Sequence, residues 1–327
     1  MAHYNTILNQ ITTILPRHEF YSLEKQFHKG AKFRSFNRWS QFMMMFIAQI
    51  TGRKSLRDII MNMKAQSSKL YHLGIKLCSH TQLARVNKKQ PAELYEHLFY
   101  NMLKKCQTLS PKHRFKFKGK IYLLDASIID LCLASFPWAT FRQRKGAVKL
   151  HVGLDADGYL PEFVALTRGK KHEINWARAL NLPAGSMVVF DMGFTDYNWY
   201  QKLCDNKVFF ITRLKSNAKI TKLGAKRKGR KAKRILVDRW IKLGGISDEL
   251  RLVEYKDQDT GKKFRFITNA HHLDASTVAG LYKERWQIEL FFKWIKQNLK
   301  VNYHRLRRWL LGTATPDNVI RRCLSIF

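Results

Sequence analysis

Residues 116–127, KFKGKIYLLDAS, divide this sequence into two textures. Ile121–Leu124 is a short apolar run that ends on an acid, Asp125, as a buried strand would. Downstream, AVKLHVGLD (147–155) and YLPEFVALTR (159–168) flank Ala156-Asp157-Gly158. Asp-Gly between strand-like runs is a strong hairpin signal, because both residues tolerate the positive φ of a tight turn. A helix is predicted over 173–181, then SMVVFD (186–191) as a short buried strand ending on Asp191, and KVFFITRLK (207–215) as a further strand. Residues 216–270 hold a basic run, KRKGRKAKR (226–234), followed by the strand-like pieces ILVDRWIKL and KFRFITNA. The run reads as a solvated loop, with Lys226, Arg227, Lys228, Arg230 and Lys231 placed to touch a nucleic-acid backbone.

Upstream of residue 116 the pattern is helical. Trp39, Phe42, Met43, Phe46, Ile47 and Ile50 give one amphipathic run, and Ser55 is an N-cap for Leu56, Ile59, Ile60 and Met63. YHLGI (71–75) places a turn at Gly74, Ser79 opens SHTQLARVNKK, and Pro91 starts PAELYEHLFYNMLKK. A short helix carrying His80, Thr81, Gln82, Arg85, Lys88 and Lys89 after a turn is compatible with a helix-turn-helix, with Gln82 and Arg85 as base-reading candidates. Any small helical bundle gives the same pattern.

Sixty Lys and Arg stand against 24 Asp and Glu, a formal charge of +36. Self-repulsion on that scale favours a polyanionic partner, and each neutralised phosphate of a nucleic acid releases a counterion. An anionic membrane surface is the competitor, but there is no signal peptide at MAHYNTILNQ and no apolar run long enough to span a bilayer. A hydrophobic share of 45% with 13% aromatics excludes wholesale disorder. The five cysteines, Cys78, Cys106, Cys132, Cys204 and Cys323, contain no C-x-x-C, which argues against a disulfide framework or zinc site and for a reducing cytosol.

In LYKERWQIELFFKWIKQNLK (281–300), Tyr282, Arg285, Glu289 and Lys296 are offset by three, four and seven residues. At roughly 100° per residue they fall within about 60° on one helical stripe. The rest of the circumference is largely apolar, with Trp286, Ile288, Leu290, Phe291, Phe292, Trp294, Ile295 and Leu299, so the helix is expected to be mostly buried. A carboxylate among cations and a phenol reads as a metal ligand set among phosphate-binding groups; the plainer alternative is a core helix with an i,i+4 Arg285–Glu289 ion pair. Asp125 and Asp191, each closing an apolar strand, need a partner or a metal when buried. Together with Glu289 they could hold two Mg²⁺ ions about 4 Å apart, the arrangement that activates water and stabilises the leaving oxygen in phosphodiester cleavage. Alternatively, Asp125 caps the turn into Ala126-Ser127 and Asp191 makes an Asx-turn with Gly193. Asp155 and Asp157 are explained by the hairpin tip, Asp130 and Asp196 by a supporting or exposed place, and His172-Glu173 by a helix start.

Tyr282-x2-Arg285-x3-Glu289-x6-Lys296 resembles the Tyr-Arg-Glu-Lys signature of the DDE transposases of the bacterial insertion-sequence-four family. LLDAS with Asp125, KLHVGLD and FDMGFTD with Asp191 resemble that family's first and second acidic regions, and FNRWSQFMMMFIAQITGRKSLRDI with YHLGI resembles its helical leader. The resemblance implies an α/β fold: an all-α DNA-binding domain (1–115), a ribonuclease-H-like catalytic core (116–215), a β-rich insertion with a basic loop (216–270), and a catalytic-core helix with a basic C-terminal segment (271–327). It implies an enzyme of the bacterial cytoplasm, associated with the nucleoid, that binds terminal inverted repeats and cleaves double-stranded DNA with Mg²⁺ at Asp125, Asp191 and Glu289. Mn²⁺ would substitute. A homodimer on DNA would then join the 3′ ends to target DNA. Tyr282, Arg285 and Lys296 would contact phosphates, and Trp240 would stack on a base. Two departures stand out. Met192 follows Asp191 where many relatives carry a basic residue, and VNYHRLRRWLLGTATPDNVIRRCLSIF only echoes the family's Gly-Thr-Ser turn. They keep open the alternative of a catalytically inactive, truncated or frameshifted transposase-derived DNA-binding protein.

Overall fold

A computed structural model describes residues 10, 12, 15–31, 33, 35–53, 55–91, 93–131, 140–142, 145–223, 234–258 and 260–298. The lysines and arginines expected in the basic loop (Lys226, Arg227, Lys228, Arg230, Lys231) and the C-terminal LLGTATPDNV lie outside them. The chain forms two compact units. One draws on the chain up to Lys105, on Asp130–Val148 and on the segment from Trp294 onward; the other on Cys106–Ile129 and Lys149–Lys293.

The first unit is built on helices whose starts are written locally. Helix α1 spans Arg17–Phe27. Asn37 caps α2 (Arg38–Ile50) by accepting the Ser40 N–H, and Ser55 caps α3 (Leu56–Ala65) by accepting that of Asp58. A short α4 (Ser67–Leu70) and a 3₁₀ turn (Tyr71–Leu73) end at Gly74, whose φ of 62° is left-handed. Glycine is required there twice over, since a Cβ would collide with the Arg17 guanidinium that donates to Leu73 O. Ser79 then caps α5 (His80–Lys89), and α6 covers Glu93–Leu109. Phe20, Trp39, Met43, Met44, Ile47, Ile59, Met63, Leu83 and Leu94 form the core. Arg38 is fully buried within this unit and donates to Gln90 Oε1 and Pro91 O, both at 3.0 Å.

The strands are β1 (Ile121–Leu131), β2 (Thr140–Arg142), β3 (Lys145–Asp155), β4 (Leu160–Arg168), β5 (Met187–Phe190), β6 (Phe209–Arg213), β7 (Ile220–Leu223), β8 (Ile235–Leu243), β9 (Leu250–Lys256) and β10 (Lys263–Thr268). Among the described residues they make one sheet in the order β2-β3-β1-β5-β6-β10-β9-β8-β7, with β4 on β3. β1, β5 and β6 run parallel, with Ile121, Met187 and Phe209 in register at one end and Leu124, Phe190 and Thr212 at the other. β10 returns antiparallel on β6, and the antiparallel half continues out to β7. Every residue of MVVF in β5 is buried, as a parallel strand covered on both faces requires. Strands 220–268 therefore extend the same sheet as β1 and β5.

Short helices connect the strands: α7 (Glu173–Ala177), α8 (Tyr197–Asp205), α9 (Ala275–Glu284) and α10 (Trp286–Asn298). Three expectations need correction. The helix predicted over 173–181 stops at Ala177, because Ala179 and Leu180 bond back three residues and unwind it. β1 runs on through Asp125 to Leu131 instead of ending at the acid. The apolar helix is not buried all round: Ile288, Phe292 and Ile295 are buried, whereas Trp286, Leu290 and Trp294, spaced by four on another face, are 58%, 42% and 56% exposed.

Candidate active site

Asp125 and Asp191 each follow the last registered pair, Leu124 and Phe190, of the parallel strands β1 and β5. Adjacent strands lie about 4.8 Å apart, so the two acids emerge side by side where β5 ends. The two are held alike. Asp125 Oδ1 accepts the Ala126 N–H at 2.8 Å, and Asp191 Oδ1 accepts the Met192 N–H at 2.7 Å, starting the 3₁₀ turn Met192–Phe194. Of the local turns foreseen as alternatives to a catalytic role, only that at Asp191 forms, since Asp125 lies inside β1, and each acid leaves a second carboxylate oxygen uncommitted to its own backbone.

The expected stripe spans two helices. Arg285 lies in a tightened turn between α9 and α10, with Arg285 N–H bonded to Tyr282 O and Ile288 N–H to Arg285 O. Tyr282, Arg285 and Glu289 still meet. The Tyr282 hydroxyl donates to Asp191 Oδ1 at 3.4 Å; Arg285 Nη1 stands 3.4 Å from Asp125 Oδ2, and Nη2 2.5 Å from Glu289 Oε1. The i,i+4 ion pair that the helical spacing allows is therefore formed, and the same guanidinium reaches across to β1.

Burial pushes the Asp125 carboxyl up to about 6, against the Ala126 N–H and Arg285, with Glu173 and Asp191 repelling the charged form. Burial likewise raises the Tyr282 phenol to about 12, so it stays a proton donor to Asp191 at neutral pH. Among the described residues, no three His, Cys, Asp or Glu side chains stand grouped so as to hold a metal ion. Glu289 reaches Asp125 through Arg285. Asp125 and Asp191 by themselves offer hard oxygen donors, and Mg²⁺ bound with its waters and substrate phosphates requires only one or two carboxylates. In kind and number the pair fits such an ion.

Other predicted residues lie elsewhere. Lys296 is exposed near the end of α10. Trp240 sits on β8, five strand places from β1, with its ring 4.4 Å from that of His271. Gln82 is half-buried on α5 and Arg85 exposed; 14 residues with their own helical turns separate α5 from α3, a longer link than a tight helix-turn-helix needs. Asp196 caps α8 through the Trp199 N–H, Asp155 is buried against Lys120, and Asp130 is exposed. Sequence reasoning missed Lys149 and Glu173, which pair beside the Asp191 turn. Alternation along KLHVGLD could have flagged a lysine on a largely buried strand.

No helix among the described residues is long and apolar enough to cross a membrane. Residues 3–76 match a domain family of unknown function (DUF4372). The Sinorhizobium fredii (strain NBRC 101917 / NGR234) protein y4zB, named as a transposase, is 29% identical over 248 residues, 73% of this chain and 66% of that one. A Geobacillus stearothermophilus protein named as a transposase for insertion sequence element IS5377 is 24% identical over 233 residues, 70% of this chain and 61% of that one. The matched stretches thus span less than two thirds of either relative's length. Among solved structures, a piggyBac transposase synaptic complex with hairpin DNA is similar at 12% identity and a TM-score of 0.46, over 97% of this chain and 77% of that one. Residues 116–311, more than half of the sequence, match the family described as "Transposase DDE domain", and the chain belongs to that family.

Proposed function

We propose that the chain is an insertion-sequence transposase of the insertion-sequence-four type, which binds terminal inverted repeats, cleaves them with Mg²⁺ and transfers the 3′ ends to target DNA as a homodimer. The observation that carries this reading is the side-by-side emergence of Asp125 and Asp191 from parallel β1 and β5, linked through Tyr282 and Arg285 to Glu289. The strand order β4-β3-β1-β5-β6 supports a ribonuclease-H-like core, and the +36 charge supports a DNA partner.

Asp125 and Asp191 would hold Mg²⁺, which when bound supplies an activated water or hydroxyl and neutralises charge at the leaving oxygen. The chain's own residues do the placing. The Ala126 and Met192 N–H groups fix one oxygen of each aspartate, and Tyr282 adds a second donor to Asp191. Arg285, with one face toward Asp125 and another toward Glu289, is positioned to take a DNA phosphate, with Lys296 on the Glu289 helix, Trp240 and the 226–231 cations as outlying DNA contacts. Gln82 and Arg85 are the proposed base readers.

The deciding experiment uses the terminal repeats that flank the coding sequence. Alanine at Asp125, Asp191 or Glu289 should abolish Mg²⁺-dependent cleavage of those ends while leaving their binding intact. Wild-type cleavage by any one of the three variants removes that residue from the centre. Specific binding by the wild-type chain without nicking in Mg²⁺ or Mn²⁺ removes the catalytic reading altogether.

A further inference from the structure

Glu173 opens α7, and nothing in its sequence neighbourhood suggests more than a helix start. The fold carries it to the turn that follows Asp191. Its Oε1 lies 3.2 Å from Lys149 Nζ on β3, with only 24% and 13% of the two side chains exposed. Its Oε2 stands 2.9 Å from the point that a Cβ on Gly193 would occupy, closer than such contacts allow. Gly193 is the middle residue of the Met192–Phe194 turn, whose first N–H is held by Asp191 itself. The carboxylate of Glu173 is therefore wedged between a strand lysine and the backbone that sets the direction of Asp191. Glycine at 193 is what lets it come so close.

The wedge is held from behind. Five residues of helix have no stability of their own. Trp176 stacks on His151, ring centres 5.1 Å apart and planes 29° from parallel, and Ala177 is wholly buried. His151 lies two residues along β3 from Lys149, on the same face, and is fixed in turn by Thr167 of β4 at 2.8 Å. A lysine and a histidine one pleat apart thus anchor the two ends of α7.

We propose that Glu173 is a positioning residue for the Asp125–Asp191 centre: braced by Lys149 and packed on Gly193, it fixes the Asp191–Phe194 turn and so the direction of the Asp191 carboxylate. The inference rests on the reading of Asp125 and Asp191 as metal-binding acids. In this role Glu173 acts through the turn, as a positioning residue and not as a ligand.

The test is Mn²⁺ binding to the full chain without DNA, followed by the electron paramagnetic resonance of free Mn²⁺. Residues that orient metal ligands typically change affinity 10- to 100-fold, so Glu173→Ala should weaken binding by about tenfold. Gly193→Ala should do so as well, because its methyl displaces the same carboxylate. In the double variant the methyl fills the vacated space, so affinity should be no lower than in Glu173→Ala alone. Glu173→Gln, which keeps the volume and loses the Lys149 ion pair, should also weaken binding and serves if the alanine variant does not fold. In DNA cleavage, half-saturation should move to higher metal concentration while the rate at saturation is kept. Folded Glu173 variants with wild-type Mn²⁺ affinity overturn the proposal, as do fully multiplicative losses in the double variant. Asp191→Asn separates the two levels. If it leaves Mn²⁺ binding unchanged, the metal reading itself fails; if it abolishes binding while the Glu173 variants do not weaken it, only the positioning role fails.

Discussion

The antiparallel half of the sheet and the parallel half each bury an arginine against carboxylates, and they satisfy it differently. On β9, Arg251 meets Asp238 of β8 fork to fork, with Nε and Nη2 each 2.8 Å from a carboxylate oxygen, and gives its remaining arm to Leu273 O. Facing β1, Arg285 divides itself between Asp125 at 3.4 Å and Glu289 at 2.5 Å, and its buried Nε has no partner. The first pair is 3% and 13% exposed; the acids around Arg285 are 20% and 33% exposed. A bidentate, fully used guanidinium is a fastening. One with an idle donor, shared between two partly exposed acids, can exchange a carboxylate for a phosphate at small cost.

The largest effect on stability should therefore follow from Arg251→Ala. It strands the Asp238 carboxylate and the Leu273 carbonyl, and breaking a buried pair from one side costs about 3–5 kcal/mol. Denaturant unfolding of the variant measures this. A loss below about 1 kcal/mol would break the contrast, since Arg251 would then be no more a fastening than a surface pair.

A second effect separates the parallel half further, through its neutral buried group. Burial, with Lys149 on its own strand and Lys171 ahead of α7, lowers His151 from 6.5 to about 4. Trp176 of α7 and Thr167 of β4 complete its surroundings. With the folded value below the unfolded one, the unfolded chain takes up the proton first as pH falls. The full stability is present above about pH 6.5 and declines from there to about pH 4, by up to roughly 3 kcal/mol. His151→Phe keeps the ring on Trp176 and should flatten this part of the slope between pH 7 and 5 in paired urea titrations. Identical slopes in the two proteins would remove His151 as the cause.

Both arginines show what the sequence could and could not disclose. The caps at Ser55 and Ser79, the Asp-Gly hairpin and the acid after MVVF are local signals, and each marks a boundary or a turn in the fold. The Arg285–Glu289 contact follows from a spacing of four. The Arg251–Asp238 fork depends on the β8–β9 register across 13 residues, and the Glu173–Gly193 approach on a helix returning over a sheet. No local pattern encodes either. Aromatic content misled in the same way: Trp286 and Trp294 read as core because periodicity gives faces without saying which face is covered. The end of β1 was misplaced because an acid at a strand's interior looks like a terminus when the neighbouring strand, here β5, is the one that ends.

The smallest change in stability should come from Arg285→Gln, and it is the sharpest test of the contrast. Glu289 is exposed enough to be hydrated once the cation is gone, and exposed pairs contribute about 0–1 kcal/mol. Asp125, whose carboxyl burial already pushes up to about 6, can take up a proton, so neither acid is left as a buried unpaired charge. The variant should therefore unfold within about 1 kcal/mol of wild type, several times less than the loss at Arg251. Its functional change should run the other way. If Arg285 exchanges Asp125 for a phosphate, losing it removes one cation from the DNA interface, and the salt dependence of end binding should flatten by about one counterion. Arg251→Ala, once corrected for its unfolded fraction, should leave that slope alone. A stability loss at Arg285 equal to that at Arg251, with an unchanged salt slope, would make both arginines fastenings. The helix turn at 285 would then be no more than a well-packed corner of the fold.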